Sequence, residues 1–363
     1  MTAKTATCTV KRVPPDFPLY KGVSFTADRI EAVRKTLPQP GGYKWLDEYI
    51  DSLDPVKDWE QVIRTEFNYT FNEFGGSIPH TTAFINVIQN PVGGRTLAGT
   101  GKVFGHFHGH DRLMDANGFL FSWMLEGLTT PNGKAEVERL NRLHMRLAKR
   151  FPGNFADKDD FIIAIVNLAL FPARLREVFG LPPLPENRRI ARLYWSRALW
   201  ANIITELGPA RMEDFPNTLE EMVEWERQFN ARPHEPIDEG HRAAEALIDH
   251  FCWQWFPKPL RFIGREFILM ILPGSSIRKH RLGERKPWLD SCIYYGFRLM
   301  LLLQSLAPDP RIGLIDRIMV EEQKKAGVLP PRKQRLSMPT VLAFLLLTGF
   351  AQFLYQNVRR DRE

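Results

Sequence analysis

Cysteine is scarce in this chain of 363 residues, and the three that occur, Cys8, Cys252 and Cys292, show neither a disulfide pattern nor the paired spacing of a zinc site. The sequence also lacks a glycine-rich dinucleotide loop, a phosphate loop, a nucleophile elbow and an H-E-x-x-H helix. No internal repeat or low-complexity tract is present. These absences argue against the nucleotide-dependent and metalloprotease classes.

The formal net charge is +7, but the basic residues are spread along the chain rather than clustered. They recur beside apolar runs, which fits an anionic membrane surface better than nucleic acid. The segment Met1–Lys21 is too polar for a signal peptide. We therefore expect no nucleic-acid partner.

Apolar residues at helical spacing predict an all-α fold. Residues 1–50 contain several prolines and a Gly-Gly pair, which predict an irregular arm around one short helix near Ala27–Lys35. Residues 51–325 are predicted to form one helical domain. Leu336–Val358 has no charged residue and is flanked by arginines and lysines, so it predicts a hydrophobic C-terminal helix. That helix is either a membrane anchor or a buried terminal helix.

The stretch Glu136–Arg150 is the most regular amphipathic pattern in the sequence. Val137, Leu140 and Leu143 share one face, and His144 is predicted to be the only polar side chain among them. A buried imidazole requires partners, because an unsatisfied polar group in a core costs roughly 1–3 kcal/mol. The partner is either an ordinary carbonyl or carboxylate, or a metal.

Two other groups of polar residues attract attention. His106, His108 and His110 alternate, a pattern that can chelate a metal but also suits a solvated loop with Asp111 as the N-cap of the next helix.

Glu206 is predicted to lie on a helix spanning 188–207. It either forms an ion pair with an arginine, Arg197 or Arg211, or orients His144.

The order of short motifs carries a family resemblance. Arg112-Leu-Met-Asp115-Ala116 is followed by Asn141-Arg-Leu-His144, then by Thr205-Glu206-Leu-Gly208 and Pro216. This order resembles an R-x-x-(K/D)-T element followed by an N-x-x-H element. It is similar to the ER-bound oxygenases of mycophenolic acid biosynthesis and the latex-clearing rubber oxygenases, over roughly Gly94–Pro257.

The resemblance implies a globin-like helical bundle around haem b, with His144 as the proximal iron ligand. It implies Arg112 as a distal polar group and Asp115 as a distal acid or hydrogen-bond donor. The implied reaction uses dioxygen on an apolar substrate of isoprenoid or polyketide origin, at the endoplasmic reticulum membrane. Asp115 stands where the rubber oxygenases have lysine, and Ala116 stands where the family usually has threonine, so the sixth iron position is expected to be open or water-filled.

Three alternatives remain at this point. In the first, the protein is a non-enzymatic, membrane-associated lipid-binding protein in which His144 is a satisfied core residue. In the second, it is a cofactor-free cyclase or isomerase that uses Asp115 and Glu206 as acid and base. In the third, Cys252 replaces His144 as a thiolate ligand of haem.

Overall fold

A computed structural model describes residues 18–327, and within them the predicted all-α fold is confirmed. Fifteen α-helices are joined by short turns, a π-helical segment and one two-stranded hairpin. The α-helices are α1 Ala27–Thr36, α2 Trp45–Asp51, α3 Trp59–Thr70, α4 Glu73–Val87, α5 Pro91–Thr100, α6 His106–Phe121, α7 Pro131–Arg150, α8 Lys158–Val178, α9 Glu186–Trp200, α10 Leu219–Ala231, α11 Asp238–Trp255, α12 Arg261–Ile271, α13 Gly274–Lys279, α14 Pro287–Leu306 and α15 Leu314–Lys325.

The hairpin pairs β1 (Ile204–Thr205) with β2 (Gly208–Pro209) in antiparallel register. Thr205 faces Gly208, so Glu206 and Leu207 form a two-residue turn. Gly208 has a φ of +119°, a conformation that L side chains rarely adopt. The segment predicted to be a helix up to residue 207 therefore ends at Trp200, and the helical prediction for Glu206 is wrong.

Three clusters of buried apolar side chains form the core. The first joins α2 and α3 to α8 and α9 and contains Trp195 and Trp200. The second joins α4, α11, α12 and α14 around Phe251 and Phe267. The third is smaller and brings α1 and α15 against Phe121. Helix α7 contributes Val137 to the first cluster, so it is anchored in the same core that holds α9.

Helix α6 starts earlier than the sequence indicated. The residues His106 to Asp111, expected to be a loop with Asp111 as N-cap, form its first turns, and the N-cap is Gly105 at φ +85°. Asp111 instead forms an ion pair with Lys21. At its other end α6 continues into a π-helical segment, Ser122–Glu126, rather than remaining α-helical to Leu128.

Within residues 18–327, no helix is long and apolar enough to cross a membrane. The hydrophobic segment Leu336–Val358 lies outside the described residues. The same holds for residues 1–17 of the predicted N-terminal arm, whose described part includes α1 as expected.

Candidate functional site

The helices that carry Arg112 and His144, α6 and α7, are joined through the π-helical segment. A buried carboxylate, Glu126, holds this connection. Its two oxygens accept hydrogen bonds from Nε and Nη2 of Arg29 at 2.7 and 2.6 Å, from Oγ of Ser122 at 2.5 Å and from Nδ2 of Asn132 at 2.9 Å. Arg64 donates to the carbonyls of Leu125 and Glu126 at 2.6 and 3.0 Å, where the helix leaves its last acceptors unpaired. The relative position of α6 and α7 is therefore fixed by a satisfied polar network.

His144 lies on α7 between two aromatic rings. The Phe155 ring stacks on the imidazole at a centroid distance of 5.1 Å, and the Phe161 ring meets it edge-on at 5.4 Å. Nδ1 of His144 is buried and has no hydrogen-bond partner among the described residues. Burial, with a smaller contribution from the positive charge of Arg112, lowers the pKa of His144 to about 4. The imidazole is therefore neutral at pH 7, the form that binds metals.

His144 is not the only polar group on its side of the helix. Asn141, expected only as part of the N-x-x-H motif, is 4% exposed. Its side chain donates to the carbonyl of Asn202 at 2.8 Å and accepts from the amide of Ile204 at 3.1 Å. Asn141 thus attaches the chain after α9 to α7, and this contact places the hairpin next to His144.

Arg112 lies on α6, with its guanidinium carbon 4.6 Å above the centre of the Phe84 ring. Burial lowers its pKa, and the carboxylate of Asp115 partly opposes that effect. Among the described residues, no hydrogen bond or ion pair within 4 Å joins Arg112 to Asp115. An i,i+3 ion pair between these two residues is therefore absent from the described structure, and the guanidinium is a partly buried cation stacked on an aromatic ring. The positive charge of Arg112 contributes to lowering the pKa of both His144 and His80, so it lies within electrostatic range of these two imidazoles.

Glu206 does not contact His144, and in the described structure it pairs with neither Arg197 nor Arg211. Its carboxylate accepts the amide protons of Gly153 at 3.0 Å and Phe155 at 2.7 Å. The amide of Glu206 also donates to the carbonyl of Phe155 at 2.9 Å. These three bonds hold the loop after α7, whose Phe155 ring stacks on His144. Glu206 therefore acts on the imidazole through Phe155.

Two further predicted ligands have other surroundings. His106 stacks on Trp253 at 4.7 Å and His110 lies 5.9 Å from His250, so the alternating histidines point to different neighbours. Within residues 18–327, no three His, Cys, Asp or Glu side chains are arranged to hold a metal ion. Burial raises the pKa of Cys252 to about 12, so its sulfur is a neutral thiol rather than a thiolate ligand.

Sequence reasoning missed the aromatic groups that surround the site. Phe84, Phe155 and Phe161 belong to α4, to the loop after α7 and to α8, and no local spacing connects them. Glu126 was missed for the same reason, because Arg29 and Arg64 are distant in sequence. The only sign of Glu126 in the sequence is that it is a single acid at the end of an otherwise apolar stretch.

The residues present fit a haem. In many haem proteins a histidine imidazole is an axial ligand of the iron, and a cationic side chain often pairs with a carboxylate of the haem. His144 has a buried Nδ1 without a partner. Arg112 is a partly buried guanidinium that forms no ion pair within 4 Å in the described structure. Buried polar groups without partners are rare in native proteins, and each requires an explanation. A bound group that brings iron and carboxylates supplies partners for both kinds of side chain.

Comparison with known proteins supports the same family. The family model described as ER-bound oxygenase mpaB/B'/Rubber oxygenase, catalytic domain, matches residues 87–311. A solved structure described as "Structure of Latex Clearing Protein LCP in the closed state" is similar in fold. Its TM-score is 0.53 at 16% sequence identity, and the match covers 85% of this chain and 81% of that chain. The comparison with curated proteins finds no match. Because the family model covers more than half of the chain, the protein belongs to the family of ER-bound oxygenases and rubber oxygenases, of which residues 87–311 are the catalytic domain.

Proposed function

We propose that the protein is a haem-dependent oxygenase that uses dioxygen on an apolar substrate of isoprenoid or polyketide origin. The observation that carries the proposal is the environment of His144. The imidazole is neutral at pH 7, it is held between two phenylalanine rings, and its buried Nδ1 lacks a partner in the described structure. Family membership supports the oxygenase class, and the titration state of His144 supports its role as the iron ligand.

Each side chain then has a specific task. Haem b, when bound, supplies the iron at which dioxygen is activated. His144 provides a neutral nitrogen lone pair, and the rings of Phe155 and Phe161 exclude water from it. Arg112 keeps its positive charge, because a guanidinium is always protonated in proteins. That charge stabilises an anionic group in the site, and it is effective because the surroundings are buried.

Asp115 lies close enough to Arg112 to influence it, without a direct ion pair in the described structure. It replaces the lysine found in rubber oxygenases, and a carboxylate does not ligate iron as an amine does. Asp115 would therefore not hold the iron of a bound haem, and its role would be that of a distal acid or hydrogen-bond donor near Arg112. Apolar substrates of this class dissolve in lipid, which supports a location at the endoplasmic reticulum membrane.

The experiment is an absorption spectrum of the purified full chain supplied with haemin, before and after reduction with dithionite. The parent protein should bind haem and show a Soret band that shifts on reduction. His144→Ala should lose stoichiometric haem and keep its helical circular dichroism. His108→Ala is the matched control, because His108 is an exposed histidine on α6. A colourless parent protein would favour the lipid-binding alternative, and haem retention by His144→Ala with an unchanged Soret band would show that His144 is not the ligand.

A further inference from the structure

The exposed apolar side chains of the described residues are concentrated on one helix. Of seventeen large hydrophobic residues with high exposure in residues 18–327, seven belong to α14. Trp288 is 61% exposed, Leu303 54% and Leu306 70%. Scattered exposed apolar residues are normal on a soluble protein, but a contiguous patch indicates a binding surface.

The opposite face of α14 is fixed in the core. Leu289, Ile293 and Phe297 are buried, and the Phe297 ring lies 4.4 Å from the Phe179 ring and 5.0 Å from the Phe267 ring. A helix held in this way cannot insert across a bilayer. It can lie at an angle on a membrane surface, with the N-terminal end of its free face at the headgroups and the C-terminal end among the acyl chains.

The charges along α14 suit such a position. From Ser291 to Leu306 the only charged residue is Arg298, whose guanidinium donates to the hydroxyl of Tyr294 at 2.9 Å. Arg285 and Lys286 immediately precede the helix. Arg285 forms an ion pair with Asp290 in the first turn of α14 at 2.7 Å, so Lys286 and Arg298 are the cations of this surface without a carboxylate partner among the described residues. Trp288 follows them, and tryptophan is enriched at the level of lipid headgroups. Basic residues, then an aromatic residue, then leucines form the order expected from the headgroups to the acyl chains.

The width of the apolar surface distinguishes a bilayer from a partner helix. At 100° per residue, the exposed apolar positions 299, 300, 302, 303 and 306 span about 160° of the helix circumference. Packing against a single helix requires a narrower stripe, whereas a lipid surface covers a wide one. From Trp288 to Leu306 the surface extends about 27 Å along the helix axis.

We propose that the outer face of α14 docks on a lipid bilayer, with Leu303 and Leu306 among the acyl chains and Trp288 at the headgroups. This surface is independent of the haem proposal, because none of its residues contacts His144 or Arg112. Docking would place α14, a helix of the second core cluster, at the lipid bilayer, in which apolar substrates dissolve.

The test uses the full chain and vesicles of phosphatidylcholine and phosphatidylserine. Leu303→Asp/Leu306→Asp should reduce the vesicle partition coefficient by about 100-fold, or about tenfold for each leucine withdrawn from an apolar environment. Leu207→Asp is the matched control, because Leu207 is 83% exposed on the hairpin between α9 and α10. This control should bind as the parent does. Vesicles that contain brominated lipids should quench the fluorescence of the parent more than that of Trp288→Phe.

Equal quenching of the parent and Trp288→Phe would overturn the proposal. It would also be overturned if Leu207→Asp weakened binding as much as the double variant, or if the double variant bound vesicles as the parent does. A concentration-dependent dimer that the double variant abolishes would identify a second copy of the chain as the occupant instead. Circular dichroism of each variant ensures that the comparison is between folded proteins.

Discussion

Glu206 offers the sharpest test of how the surroundings of His144 are held. The carboxylate accepts two amide protons from the loop after α7, those of Gly153 and Phe155, at 3.0 and 2.7 Å. In Glu206→Gln one of the two acceptor oxygens becomes an NH2 group, which faces an amide N–H instead of accepting from it. In Glu206→Ala both acceptors are lost. The loop should therefore loosen in both variants, and more in Glu206→Ala.

The magnitude follows from the bonds that are lost. A hydrogen bond to a charged acceptor contributes roughly 1.5–3 kcal/mol, and the lower end applies here because Glu206 is only half-buried. We expect the free energy of unfolding to fall by about 1.5 kcal/mol in Glu206→Gln and by about 3 kcal/mol in Glu206→Ala. If the loss is local, amide hydrogen exchange at Gly153 and Phe155 should accelerate by about tenfold in Glu206→Gln.

The assay is urea denaturation combined with hydrogen exchange of the peptide that contains residues 151–157. Glu213→Gln is the control, because Glu213 is an exposed acid close in sequence that makes no hydrogen bond within residues 18–327. Glu213→Gln should leave both measurements unchanged. Unchanged exchange at Gly153 and Phe155 in Glu206→Ala would refute the positioning role of Glu206.

Three further predictions concern burial and packing. Burial lowers the pKa of His250 to about 3, so the folded protein favours the neutral ring, and the stability that this ring contributes is lost as pH falls below about 6.5. Between pH 7 and pH 5 the free energy of unfolding should therefore fall by about 2 kcal/mol less in His250→Gln than in the parent, as measured by urea denaturation. Burial raises the pKa of Asp160 to about 7, so the folded protein favours the neutral acid and loses stability as pH rises from about 4 to 7. The free energy of unfolding of Asp160→Asn minus that of the parent should be larger at pH 8 than at pH 4, by on the order of 2 kcal/mol. An equal difference at both pH values would contradict this. A Cβ at Gly133 would lie 1.9 Å from the carbonyl oxygen of Gly127, so Gly133→Ala should lower the free energy of unfolding by about 3 kcal/mol, whereas Gly41→Ala, which meets no atom closer than 4.0 Å, should not.

The sequence predicted the helices whose apolar residues recur at helical spacing. The stretch Glu136–Arg150 lies within α7. This prediction succeeded because buried residues recur along one face of that helix, at Gly133, Val137, Asn141 and Ala148. The start of α6 was missed, because a turn of alternating histidines carries no apolar period and its N-cap is a glycine.

Long-range contacts explain the remaining errors. The helix predicted up to residue 207 ends at Trp200, and the chain beyond it bonds to the side chain of Asn141 on another helix. Glu206 stands out in the sequence as a single acid, but its partners lie some fifty residues earlier in the chain. Sequence patterns report local periodicity, and they do not specify which distant backbone amide a carboxylate reaches.

The carboxylate of Glu126 has a mechanical consequence for the candidate site. Four bonds from three side chains converge on it, and Arg64 fastens the carbonyls beside it, so α6 and α7 must move as one body. Any opening that admits a large planar group between Arg112 and His144 cannot occur by separating these two helices at their connection. The other end of α7 lies outside this network, and the loop with Phe155 is held there by Glu206 and by a hydrogen bond from Asn154 to Thr96 at 2.6 Å. The connection between α6 and α7 is therefore the fixed end of the candidate site, and the loop that Glu206 holds is the end that can move.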